Sequence, residues 1–199
     1  MTEKTDKVGA LLLAAGGSSR MGLAKQLLVY EGKTLLRRAA ETLLASTCSP
    51  IIVVLGAEFE QIEKQIEDLS VEMAHNANWR TGMGSSIKAG LVRLLQIEPD
   101  ASALIITLCD QPNITASHID QLTKKFRETG NGIVAAEYSG TTGVPALFSR
   151  RYFDELLKID GDQGARKLIR SASGDLSTVQ IPEAAFDIDT PEDLVSQKS

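Results

Sequence analysis

Residues 8–14 (Val-Gly-Ala-Leu-Leu-Leu-Ala) form an unbroken apolar run with no polar alternation. A run that short buries both of its faces as an inner strand of a sheet covered on each side, which points to a parallel, helix-flanked sheet. Similar runs return at 51–55, 71–75, 103–108 and 133–137, the run at 103–108 being the most apolar. Helical periodicity fills the gaps. Thr34 can cap a helix to about residue 46, with Leu35, Leu36, Ala39, Leu43 and Leu44 on one side. Residues 58–69, 84–96 and 115–128 read as further helices. This alternation predicts an α/β fold, a Rossmann-like three-layer α/β/α sandwich around a mainly parallel sheet, with functional loops at the carboxyl ends of the strands. After Gly140 the rhythm loosens into a strand at 146–148, a helix from 149, another near 163–170 and a strand at 178–181.

The loop after the first run is Ala15-Gly-Gly-Ser-Ser-Arg-Met-Gly-Leu-Ala-Lys25. Gly16, Gly17 and Gly22 let backbone N–H groups approach an anion closely. Arg20 can add a planar fork and Lys25 a point charge. These residues read as a polyphosphate cradle, though not a Walker loop, since Leu23 stands where that loop needs Lys, and no G-x-G-x-x-G follows the strand. Gly16-Gly-Ser-Ser-Arg20 lacks the closing glycine of a hydrolase nucleophile elbow, so Ser18 and Ser19 belong to the cradle.

Three other stretches carry chemistry. Asp110 follows the 103–108 strand and is turned away by Gln111-Pro112; a carboxylate there suits either a divalent cation or the start of a turn. Asp187 and Asp189 lie two apart, on one face of an extended segment, and suit a cation, while Thr190, Pro191, Glu192 and Asp193 make a helix start. Asn76-Ala-Asn-Trp-Arg-Thr-Gly-Met-Gly-Ser-Ser86 precedes a helix whose free N–H groups can face a ligand, or is a capped loop with Trp79 as packing anchor.

Leu13-Ala-Ala-Gly-x-Ser-x-Arg-Met-Gly-x-x-Lys25 resembles the signature loop of the MobA/MocA-like nucleotidyltransferases, most closely the molybdenum cofactor cytidylyltransferase branch. The resemblance runs from Leu11 to Leu194 and implies a nucleotidyltransferase (GT-A-like) fold. It implies transfer of a nucleoside monophosphate, with loss of pyrophosphate, to a phosphorylated acceptor such as molybdopterin cofactor. By the same resemblance Leu13, Ala14, Ala15, Gly16, Gly17, Ser18, Ser19, Arg20 and Lys25 bind nucleotide, with Asn76, Gly82, Met83, Ser85 and Ser86 lining the pocket. Arg20, Lys25 and Asp110 are the implied catalytic residues, and Asp110 with Asp187 or Asp189 the implied Mg²⁺ ligands. Gly143, Pro145, Gly161 and Asp162 fall in segments resembling the acceptor side; there Val144 replaces the family's usual His. The Leu-Ala-Ala-Gly form accompanies CTP in that family, and Leu-Ala-Gly-Gly accompanies GTP. Open alternatives are another cytidylyl- or sugar-phosphate nucleotidyltransferase, and a non-catalytic carrier of the cofactor. A recipient molybdoenzyme or its chaperone would be the protein partner.

On this reading 1–199 is one domain: a nucleotide-binding core at about 8–138, an acceptor-side extension at about 139–186, and a metal-site tail at 187–199. A net charge of −5 argues against a nucleic-acid partner but not against nucleotides, which need only a local positive pocket. Cys48 and Cys109 lack metal or disulfide-framework spacing and read as buried apolar residues of a reducing cytoplasm. His75 and His118 read as structural or exposed. The polar N-terminus is expected to hold no signal peptide, and no run is long enough to span a membrane.

Overall fold

The computed structural model describes residues 6–17, 24–188 and 193. β1 (Val8–Ala14), β4 (Ile51–Leu55), β5 (Glu72–His75), β6 (Ala103–Leu108), β7 (Ile133–Tyr138), β8 (Thr141–Ser149) and β9 (Leu176–Gln180) form one sheet in the order β5-β4-β1-β6-β8-β7-β9. β8 alone is antiparallel to its neighbours; the other six strands run the same way. β2 (Val29–Tyr30) and β3 (Lys33–Thr34) make a separate small hairpin that delivers Thr34 to the start of α1 (Leu35–Leu44). Thr34 Oγ1 there accepts from the Arg37 N–H at 3.3 Å.

The pleat sorts the apolar runs onto two faces. Ala10, Leu12 and Ala14 of β1 pack under α1 and α4 (Ala116–Thr129), through Leu36, Leu43, Ile119 and Leu122. Leu11 and Leu13 face α3 (Met83–Ile97), α5 (Phe153–Lys158) and α6 (Arg166–Ser171), through Ile87, Leu91, Leu156 and Ile169. Helices therefore cover both sides, as the unbroken apolar strands require.

Two expectations need correction. Of residues 58–69, only α2 (Phe59–Glu63) is α-helical. Glu58 enters in the left-handed region at φ 52°, and beyond the helix the Gln65 carbonyl accepts from the Arg37 guanidinium at 3.1 Å. Ile62 and Ile66 are nonetheless fully buried, so the apolar spacing served packing rather than helix length. The strand expected at 146–148 is the nine-residue β8. A bulge opposite Ala135 and Ala136 admits Gly143 and Pro145 without ending the pairing. β8 and β9 thus carry the same sheet onward past residue 140. Among the described residues no helix is long and apolar enough to cross a membrane.

Candidate active site

β1 pairs with β4 on one side and with β6 on the other, and the chain winds outward in both directions from that point. The sheet's switch point is therefore between β1 and β6, where open α/β sheets gather ligands at the carboxyl ends of strands. The register pairs Leu13 with Leu108, so Ala14-Ala-Gly-Gly17 and Cys109-Asp110 leave the sheet side by side.

A cavity of about 480 Å³ opens there, lined by Leu13, Ala14, Ala15, Gly16, Gly17, Lys25 and Asp110, among others. Trp79, Gly82, Met83 and Ser86 form its opposite wall. Lys25 Nζ lies 2.8 Å from Asp110 Oδ2, both side chains being mostly buried. The cationic and anionic groups singled out in the sequence are thus paired across the cavity. Ser18, Ser19, Arg20, Met21, Gly22 and Asp189 lie outside the described residues.

The loop is held by residues that the sequence reading passed over. Gln26, 3% exposed, donates through Nε2 to the Ala14 carbonyl at 2.6 Å and the Gly16 carbonyl at 2.7 Å. The Ala15 carbonyl between them accepts from the Ala57 N–H at 3.2 Å. Trp79 packs so closely that a Cβ on Gly17 would stand 2.7 Å from its ring, and a Cβ on Gly56 would stand 2.6 Å from the Ala15 carbonyl. The Arg80 guanidinium stacks over the Trp79 ring at 4.5 Å. Both side chains line the cavity.

Asn76 and Ser85 do not line it. Asn76 is buried and donates through Nδ2 to Ser85 Oγ at 2.8 Å and Ser86 Oγ at 3.0 Å, while its Oδ1 accepts from the Asn78 N–H at 3.0 Å. Together they brace the 76–86 loop from behind. Gly82 adopts φ 109°, and a Cβ there would stand 2.6 Å from the Gly161 carbonyl oxygen. That close approach brings the 82–86 stretch against 161–164, two segments far apart in the chain.

The Asp-Gln-Pro turn joins the site to the rest of the fold. Gln111 is 4% exposed and donates through Nε2 to the Ala184 carbonyl at 2.9 Å and the Val144 carbonyl at 3.3 Å. The Asp110 carbonyl accepts from the Ile188 N–H at 2.9 Å, which sets exposed Asp187 beside the turn. Asp110 Oδ1 is buried without a hydrogen-bond partner. A hard divalent cation suits such an oxygen, because Mg²⁺ takes one or two carboxylates and fills its remaining positions with phosphate oxygens and water. Among the described residues no group of three or more His, Cys, Asp or Glu ligands assembles. Burial and the neighbouring Asp110 carboxylate push the Cys109 thiol up to about 12, so it stays neutral.

A second cleft, of about 790 Å³, adjoins the first; Met83, Leu108 and Asp162 line both. Its floor includes Val144, while Gly143 and Pro145, its neighbours in β8, are buried away from the cleft. Gly143 sits against the Tyr138 hydroxyl, and Gly161 against Gly82. His118 is structural, accepting through Nδ1 from the Thr115 N–H at 3.3 Å in a capping box, and exposed His75 stacks on Phe59.

Residues 10–177 match the model of the MobA-like NTP transferase domain. The chain belongs to that family. It is a nucleotidyltransferase, and its sheet and helices match solved structures of that fold. It is 29% identical to the molybdenum cofactor cytidylyltransferase of Escherichia coli, over 96% of this chain and 95% of that one. Nicotine blue oxidoreductase of Paenarthrobacter nicotinovorans is 31% identical, over 94% of both chains. The solved Rv0371c homologue from Mycobacterium sp. strain JC1 superposes with a TM-score of 0.81 at 30% identity, over 95% of this chain and 96% of that one. Two relatives so differently named, at nearly equal identity, leave the acceptor to be argued from the site.

Proposed function

We propose that the protein transfers CMP from CTP to the phosphate of molybdopterin cofactor, releasing pyrophosphate. One observation carries the reading. The glycine loop after β1, Lys25 and Asp110 converge on one cavity at the switch point, and a second, larger cleft adjoins it through shared residues. Nucleotide and acceptor can then lie end to end with their phosphates meeting near Asp110.

An acceptor phosphate oxygen attacks the α-phosphorus of CTP; the new P–O bond forms as the bond to the β-phosphate bridge breaks, and pyrophosphate leaves with that electron pair. The attacking phosphate is already ionised near neutral pH, so no general base is needed. Such transfers depend on positioning and charge neutralisation. Asp110, with Asp187 or Asp189, would hold Mg²⁺, which would supply charge neutralisation when bound. Lys25, Arg20 and the amides of 15–19 hold the triphosphate and balance charge on the leaving pyrophosphate. Ala15, buried in the cavity wall, narrows the base pocket and favours a pyrimidine, as does the relationship to a named cytidylyltransferase. Val144 in the acceptor floor, where the resembled family carries His, favours a second reading in which the same transfer serves another phosphorylated acceptor.

The test is pyrophosphate release with Mg²⁺ and each of CTP, GTP, UTP and ATP, with and without molybdopterin cofactor. Release with CTP and that acceptor alone is expected, and Asp110→Ala should slow it roughly a hundred-fold or more. Release with CTP and a different phosphorylated acceptor would move the substrate and keep the mechanism. Failure with every nucleotide and acceptor would overturn the proposal.

A further inference from the structure

The cleft beside the nucleotide cavity has a charge pattern that the transfer reaction does not by itself require. Arg166, Lys167 and Arg170 line it from α6, and all three are exposed. Arg166 and Arg170 are one helical turn apart, a spacing at which like charges weaken a helix. None of the three forms an ion pair among the described residues. The helix docks on the core through Ile169, which is fully buried. Packing therefore gives no reason for the cations. The floor beneath them is apolar, made by Leu108, Val144 and Ile169. Lys25 and Asp110 stand on the nucleotide side and do not line this cleft, and the Asp162 carboxylate, which lines both, stands at the border between them.

We infer that the acceptor is an anion at both ends. Its phosphate reaches the Asp110 side, its body lies over Leu108, Val144 and Ile169, and a second anionic group is held by Arg166, Lys167 and Arg170. The inference rests on reading this cleft as the acceptor site. Val144 holds the body by apolar contact, which leaves charge recognition to α6. A polyol monophosphate would satisfy neither the floor nor the wall.

The experiment compares two probes on the full chain by titration calorimetry, 1,6-hexanediol bisphosphate and hexyl phosphate, in Mg²⁺ with a CTP analogue carrying a methylene bridge between the α- and β-phosphates. The bisphosphate should bind about ten-fold or more tightly, as expected for several charge-assisted contacts. The R166Q/R170Q variant should lose that preference while melting like the parent protein, since both side chains are exposed. No preference in the parent, or a preference that survives in R166Q/R170Q, would overturn the inference; if Lys25→Ala alone removes it, the bisphosphate sits in the glycine loop. The two proposals fail separately. Turnover of CTP and molybdopterin cofactor with an unchanged acceptor KM in R166Q/R170Q would sink the two-ended acceptor alone. A lost probe preference without turnover of any pair would sink the transfer reaction alone.

Discussion

Gln26 offers the sharpest test of how the glycine loop is held. Its Nε2 donates to the carbonyls on either side of Ala15, at 2.6 and 2.7 Å, from a side chain 3% exposed. Gln26→Ala leaves the buried Ala14 carbonyl unpaired, at a cost of about 1–3 kcal/mol. The Gly16 carbonyl is part-buried and can recover water, so its loss is about 0.5–1 kcal/mol. The one missing methylene adds about 0.8 kcal/mol. Against this, Gln26 Oε1 is itself buried without a partner, and its removal returns about 1–2 kcal/mol. The net loss is about 2 kcal/mol, which lowers the melting temperature by about 4–8 °C in a chain of this size. Calorimetric melting and CTP titration measure both consequences, and CTP affinity should fall with stability because the freed carbonyls belong to the cavity wall. Gln26→Glu keeps the shape but sets carboxylate oxygens against two carbonyls. It should be worse than Ala at pH 7 and partly recover near pH 5, where a protonated acid can donate. A Gln26→Ala protein that melts within about 1 °C of the parent and binds CTP unchanged would refute the clamp.

Two further outcomes follow from the geometry. Gly82→Ala places a Cβ at φ 109°, 2.6 Å from the Gly161 carbonyl oxygen. It should cost about 2–5 kcal/mol in a urea unfolding series and raise the KM for acceptor, because the 82–84 and 161–164 segments must part. Cys109 has its thiol pushed up to about 12 in the folded protein, against an ordinary value of 9.0. Above pH 9 the unfolded chain therefore loses a proton that the folded chain keeps, and stability falls as pH rises. By pH 10.5 this amounts to about 2 kcal/mol, measured as the extra loss between pH 8 and 10.5 in the parent over Cys109→Ala. Equal losses in the two proteins would show that Cys109 is not the group responsible.

The strand runs at 8–14, 51–55 and 103–108 were legible because burial on both faces leaves no room for polar residues, and their observed bounds match the apolar runs. The alternation with helices was legible for the same reason. Residues 58–69 misled because Ile62 and Ile66 carry helical spacing while Arg37, more than 20 residues earlier, captures the Gln65 carbonyl. The strand expected at 146–148 fell short because the bulge that carries pairing back through Gly143 and Pro145 is defined only by the neighbouring strand.

At the site, local chemistry made the glycine loop, Lys25, Asp110 and the 82–86 segment visible: glycines, charges and caps act within a few residues of where they stand. Membership of the MobA-like NTP transferase family accords with the nucleotidyltransferase reading. Gln26, the long-range bonds of Gln111, and Lys167 and Arg170 of α6 gave no comparable signal. An amide or an arginine has meaning only through what it meets, and here the partners are the Ala14 and Gly16 carbonyls, the Val144 and Ala184 carbonyls, and a cleft floored by three distant segments. Sequence alone thus determined the layers and the place of the glycine loop, because burial and backbone freedom are local properties. The Leu13–Leu108 register, the meeting of Lys25 with Asp110 and the approach of Gly82 to Gly161 were decided only when packing of the two apolar faces brought separate parts of the chain together.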